Sequence, residues 1–143
     1  MPIVISNRQR VRRLDLVALR DFAQRALSEC LKLRKSGPLS ILPEVNVVFA
    51  SDKRIAKIHQ QFMNEAGPTD VITFQHGEIF VSTETAKRQS RQFGASLEHE
   101  LRLYIVHGLL HLSGFDDKTR TGAAKMKRIQ EKVVDRALRR SMT

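Results

Sequence analysis

Two histidines four residues apart, a glycine and a returning carboxylate mark the part of this chain equipped for chemistry: His107-Gly-Leu-Leu-His111-Leu-Ser-Gly114-Phe-Asp116-Asp117. At 3.6 residues per helical turn, His107 and His111 point the same way, and their imidazoles can close on one metal ion. Gly114 then ends the helix and Asp117 follows three residues later. This is the H-x-x-x-H-x-x-G-x-x-(H/D) spacing of three-ligand zinc sites, whose fourth position is left to water. An open position suits catalysis. The spacing predicts one Zn²⁺ per chain on His107, His111 and Asp117, with Asp116 as the substitute ligand if the turn runs differently.

The residue after the first histidine narrows the chemistry. Metzincin proteases carry a glutamate there, which takes the proton of the zinc-bound water. Here it is Gly108. The metal geometry is therefore metzincin-like, while peptide or amide hydrolysis loses its base. A mid-helix glycine costs about 1 kcal/mol relative to alanine, so close packing of another backbone, or of substrate, is expected at Gly108. A bare H-x-x-x-H pair reads more simply as two buried histidines bonded to carbonyls. Gly114 and Asp117 at these offsets reverse that preference.

The elements that must position the motif follow from periodicity. Ile3 to Ile5 reads as a strand. Leu16, Leu19, Phe22, Ala23, Ala26, Leu27, Cys30 and Leu31 lay an apolar stripe on a helix over about 15–34. Strands are expected over 44–50, 71–74 and 78–81, and a helix capped by Ser51 over about 51–62. Residues 64–68 read as a loop. A helix over 83–93 ends at Gly94, Ser96 caps the metal-bearing helix to about Leu112, and a basic helix spans about Thr121 to Ser141. Four strands and about five helices in this order give an α+β fold, a small mixed four-stranded sheet covered by helices. Its length suits a single domain over residues 1–143. On the metal helix, Glu100, Tyr104, His107 and His111 share a stripe, so Glu100 is a candidate to bond a histidine ring and fix its tautomer. A surface salt bridge is the equal alternative for Glu100.

Composition points to a partner. The formal net charge is +10 and the pI about 10.5, which favours a polyanion. Between residues 118 and 140, Lys118, Arg120, Lys125, Lys127, Arg128, Lys132, Arg136, Arg139 and Arg140 face only Glu131 and Asp135. Arg8, Arg10, Arg12 and Arg13 form a second cluster. Contacts of this kind reach nucleic-acid phosphates without regard to sequence. No tryptophan and one tyrosine, Tyr104, leave no evident stacking platform for single strands. The lone Cys30 excludes an internal disulfide and a cysteine-rich zinc site. No apolar run nears 18 residues and no signal peptide is read, so a cytoplasmic, non-membrane protein is expected.

These residues resemble those of the YbeY family of metal-dependent endoribonucleases, which carries H-G-x-L-H-L-x-G-(Y/F)-D-H where this chain reads H-G-L-L-H-L-S-G-F-D-D. A second family block, P-T-D-V-(L/I)-S-F, resembles Pro68-Thr-Asp-Val-Ile-Thr-Phe74, and Gly77-Glu-Ile-Phe-Val-Ser82 matches the strand between the two blocks. The resemblance implies an endoribonuclease that matures the 3′ end of small-subunit rRNA and serves ribosome quality control. Its partners would be rRNA and the small ribosomal subunit. It implies that Asp70 and Thr73 flank the metal cleft. The chain departs from the family twice. Asp117 replaces the family's third histidine, which lowers the net charge of the site by one and makes the metal a weaker Lewis acid. Met63 replaces an arginine suited to clamp phosphate, a role then open to Arg54, Lys57, Arg88 or Arg91. Arg54, Arg88 and Arg91 join Lys118, Arg120, Lys125, Lys127 and Arg128 as candidate RNA contacts. The alternative is a non-catalytic ribosome-assembly factor with a structural metal.

Overall fold

A computed structural model describes residues 1–64 and 69–140, with only the backbone of residue 140. Residues 65–68 of the expected 64–68 loop, Pro68 of the second motif block among them, and the expected helix end at Ser141 lie outside the described residues. The chain runs β1 (Ile3–Asn7), α1 (Leu16–Leu33), a 3-10 turn (Pro38–Ile41), β2 (Val45–Ala50), α2 (Asp52–Met63), β3 (Val71–Phe74), β4 (Glu78–Ser82), α3 (Thr83–Phe93), α4 (Leu97–Leu112) and α5 (Arg120–Arg140).

The helices begin where short polar side chains take up free backbone donors. Asp15 Oδ1 accepts from Ala18 N (3.1 Å), Ser51 Oγ from Arg54 N (3.3 Å), Ser96 Oγ from His99 N (3.1 Å) and Thr119 Oγ1 from Gly122 N (2.9 Å). Expected and observed boundaries agree to within a residue or two. β1 reaches past the expected Ile5 to Asn7, because its parallel ladder with β2 runs from Ile3↔Val45 to Asn7↔Phe49.

The four strands form one mixed sheet in the order β1-β2-β4-β3. β1, β2 and β4 are parallel, while β3 returns antiparallel to β4 at the edge. β2 is central and nearly continuously apolar, as a strand covered on both faces must be. Side-chain alternation then splits the core. Val45, Val47, Phe49, Ile79 and Val81 pack with α1, α4 and α5 on one face, and Ala50, Ile72, Phe74 and Phe80 meet Ile55 and Ile58 of α2 on the other. The fold is α+β, as the element order suggests. Cys30 is fully buried on α1, and burial followed by the charge of Glu29 pushes its thiol up to about 12, which rules out a thiolate nucleophile there. Among the described residues no helix is long and apolar enough to cross a membrane.

Asp52 ties α2 to the β4–α3 junction. Its carboxylate accepts from Ser82 Oγ (2.6 Å), Thr85 Oγ1 (2.8 Å) and Arg88 Nη1 (2.5 Å). Burial acts to raise its pKa, but the hydrogen bonds from Arg88, Ser82 and Thr85 outweigh it and hold the group below 3.8. A depressed folded-state pKa stabilises the fold fully above the unfolded value, and that stability is lost as pH falls through the folded value. Asp52→Ala is expected to cost about 1–2 kcal/mol at neutral pH, allowing for the exposed Arg88. Urea unfolding at about pH 7 and about pH 2.5 should show the gap between variant and parent narrowing in acid. A gap of equal size at both pH values contradicts the assignment.

Candidate metal centre

α4 carries both histidines and is the most enclosed helix: Leu101, Ile105, Val106, Leu109 and Leu110 are all fully buried. Its packing against α1, α3, α5 and the sheet leaves His107 and His111 half-buried on the remaining side. Gly108 faces Ile79 of β4, where a Cβ would lie 2.6 Å from Ile79 Cγ2. Ile79 is fully buried and cannot move aside. The missing side chain is thus explained by a neighbouring side chain of the sheet, and not by another backbone or by substrate.

The end of α4 positions the third candidate donor. Gly114 N bonds His111 O (3.0 Å) and Phe115 N bonds Leu110 O (3.0 Å), the paired bonds of a Schellman ending. Gly114 has φ +101°, open to glycine at little cost, and a Cβ would also lie 2.9 Å from Arg34 Nη1. The Arg34 guanidinium sits 4.0 Å over the Phe115 ring and pins the returning chain. Asp116 then accepts from Lys118 N through Oδ1 (3.1 Å), a local turn that spends one of its oxygens. Asp117 turns back toward the histidines.

The three side chains converge. His107 Nε2 and His111 Nε2 are 3.1 Å apart, Asp117 Oδ2 is 3.6 Å from His107 Nε2, and Asp117 Oδ1 is 3.7 Å from His111 Nε2. Tetrahedral ligands at zinc bond lengths stand about 3.3–3.6 Å apart, so the separations and the nitrogen–nitrogen–oxygen donor set fit a divalent metal. Among the described residues neither Nε2 is spent on a backbone carbonyl. Burial first, and then the neighbouring His107 ring, hold His111 below its ordinary 6.5, against the pull of Asp117 and Asp116. A neutral imidazole is the form that binds metal.

Gln130 completes the arrangement. Its Oε1 accepts from His107 Nδ1 at 2.9 Å, which leaves the Nε2 lone pair facing the cluster. The sequence motif does not reveal this residue, which lies on another helix 23 positions further on. Glu100 is buried further toward the start of α4, beside Tyr104, whose hydroxyl pKa is raised by burial and then by the charges of Asp70 and Glu100.

The cleft in front of the cluster has a volume of about 310 Å³ and is walled by β3 and the end of α2, with Met63, Asp70, Thr73 and Gln75 among its lining side chains. Asp70 Oδ1 also accepts from Val71 N (2.8 Å), so it shapes the strand start as well as the cleft wall. Among the described residues no cation lines this cleft. Arg54 and Lys57 open into a different cavity, Arg88 is held by Asp52, and Arg91 is exposed on α3. Lys118, Arg120, Lys125, Lys127 and Arg128 are exposed on α5 and its approach.

A family model described as endoribonuclease YbeY matches residues 4–137. The endoribonuclease YbeY of Pelotomaculum thermopropionicum is 33% identical over 151 aligned positions, covering 95% of this chain and 97% of the relative. That of Bacteroides thetaiotaomicron is 33% identical over 109 positions, covering 71% and 80%. The solution structure of a Thermotoga maritima protein superposes with a TM-score of 0.66 at 28% identity, over 94% of this chain and 88% of that one. With the motif blocks, the topology and the family model in agreement, the chain belongs to the endoribonuclease YbeY family.

Proposed function

We propose that the protein is a zinc-dependent endoribonuclease that matures the 3′ end of small-subunit rRNA and serves ribosome quality control in the cytoplasm. One Zn²⁺ per chain would sit on His107, His111 and Asp117. The observation that carries this reading is the convergence of two imidazole nitrogens and a carboxylate on one point beside a solvent-open cleft, in a chain whose relatives are named endoribonucleases. When bound, zinc lowers the pKa of water and polarises a phosphoryl oxygen.

The chain's own residues supply the rest. Gln130 fixes the His107 tautomer, and burial favours the neutral form of His111. Asp117 lowers the charge of the site by one relative to a third histidine. Thr73 and Asp70, which line the same cleft, would bond a ribose hydroxyl or a water. Lys118, Arg120, Lys125, Lys127 and Arg128 offer cations to the RNA backbone, with Arg54 and Arg91 at its margins. Arg88 joins them only by leaving Asp52.

A second reading has its own support. Met63 stands in the cleft wall where a phosphate-clamping arginine is expected from the family, and no described cation replaces it. That favours an RNA-binding assembly factor whose metal is structural. Cleavage of a structured RNA by highly purified protein separates the two. Under the enzyme reading, cleavage stops when metal is chelated and resumes when zinc is restored. Cleavage that persists in a His107→Ala/His111→Ala double variant would belong to a contaminant, and this reading would fall.

A further inference from the structure

A cavity of about 580 Å³ lies on the other face of the sheet from the metal cleft, which measures about 310 Å³. α2 presents Arg54, Lys57, Ile58, Gln61 and Phe62 to it, the i, i+3, i+4, i+7, i+8 stripe of one helix face. Phe74, Phe80 and His76 come from the β3–β4 hairpin. Phe74 is the hub. Its ring centroid lies 5.5 Å from Phe62 and 5.8 Å from Phe80, both edge-on, and 5.7 Å from His76, nearly parallel at 22°. Phe62 is 61% exposed. The phenylalanines fall at scattered positions, so no sequence spacing announces a stacking platform; the hairpin and α2 assemble one.

The charges around the rings decide what suits them. Among the described residues neither Arg54 nor Lys57 takes part in an ion pair, whereas the acid of the lining, Glu78, is engaged by His76 at 2.6 Å. The exposed Phe62 ring and the half-buried Phe74 and Phe80 rings beside these cations suit an unpaired nucleic-acid strand, whose bases stack while its phosphates meet the cations. The groove also adjoins the metal cleft. Phe62 lines the groove and the next residue, Met63, lines the cleft; Phe74 lines the groove and Gln75 lines the cleft. β3 separates the two and is the edge strand of the sheet.

We infer that this groove stacks unpaired bases of an RNA strand that continues around the β3 edge from the metal cleft, with Arg54 and Lys57 on its phosphates. The inference rests on the RNA reading above and adds a second contact surface to it. It is tested on the full-length protein by fluorescence anisotropy with a labelled single-stranded oligoadenylate RNA. Phe62→Ala removes an exposed ring and is expected to weaken binding about tenfold. Arg54→Ala/Lys57→Ala should make the dependence of log affinity on log salt shallower by about 0.7 per cation removed. Both variants keep the metal content of the parent. If the parent binds and both variants bind equally well with an unchanged salt slope, the groove inference is overturned and the surface belongs to a protein partner. If the parent itself does not bind the RNA, the RNA reading fails first.

Discussion

His111→Ala is expected to leave the protein folded and without stoichiometric metal. The ring is one of three converging donors, and its loss leaves one imidazole and one carboxylate. Structural zinc sites with four ligands bind with about 10–16 kcal/mol, or roughly 2.5–4 kcal/mol per ligand. Losing one ligand therefore weakens affinity by about 10²- to 10³-fold, enough to empty the site through dialysis. The fold should survive, because His111 lies at the rim of the cleft with 26% of its side chain exposed and the apolar face of α4 is untouched. Elemental analysis paired with circular dichroism checks both halves. A folded variant that still carries one metal per chain would refute the ligand assignment. Under the proposed function, RNA cleavage disappears with the metal.

Gln130→Leu tests the part of the site that the motif does not contain. Leucine keeps the bulk at that position but accepts nothing from His107 Nδ1. The half-buried ring N–H loses its partner, and the proton is free to move to Nε2, the atom that faces the cluster. Outer partners of this kind are worth about 10- to 100-fold in metal affinity. Competition against a chelating dye should show a drop in that range, with all three candidate donors still present. Gln130→Glu restores an acceptor and should recover the loss. Equal affinities for the parent and the leucine variant would mean that Gln130 is only a packing neighbour.

The two variants probe different levels of encoding. His111 could be chosen from the chain alone, because i, i+4 spacing on a helix is a local rule that holds wherever the helix lies. The same is true of the caps at Ser51 and Ser96, and of Gly114, whose left-handed backbone ends α4 and sends Asp117 back. Helices and strands could be placed to within a residue or two for that reason. The α+β class followed from their order.

Gln130 could not be chosen that way, nor could the pairing of Arg88 with Asp52, the packing of Ile79 against Gly108, or the gathering of Phe62, Phe74, Phe80 and His76 into one groove. Each joins residues from different elements. Each also depends on the strand order β1-β2-β4-β3, which no single segment specifies. The sequence by itself determined the donor types, their spacing on α4 and the excess of positive charge, because these rest on covalent order and helical period. The tertiary structure alone decided which side chain steadies His107, which cations remain available for phosphate and which aromatic rings share a surface, because those depend on how the helices and the sheet pack their apolar faces together.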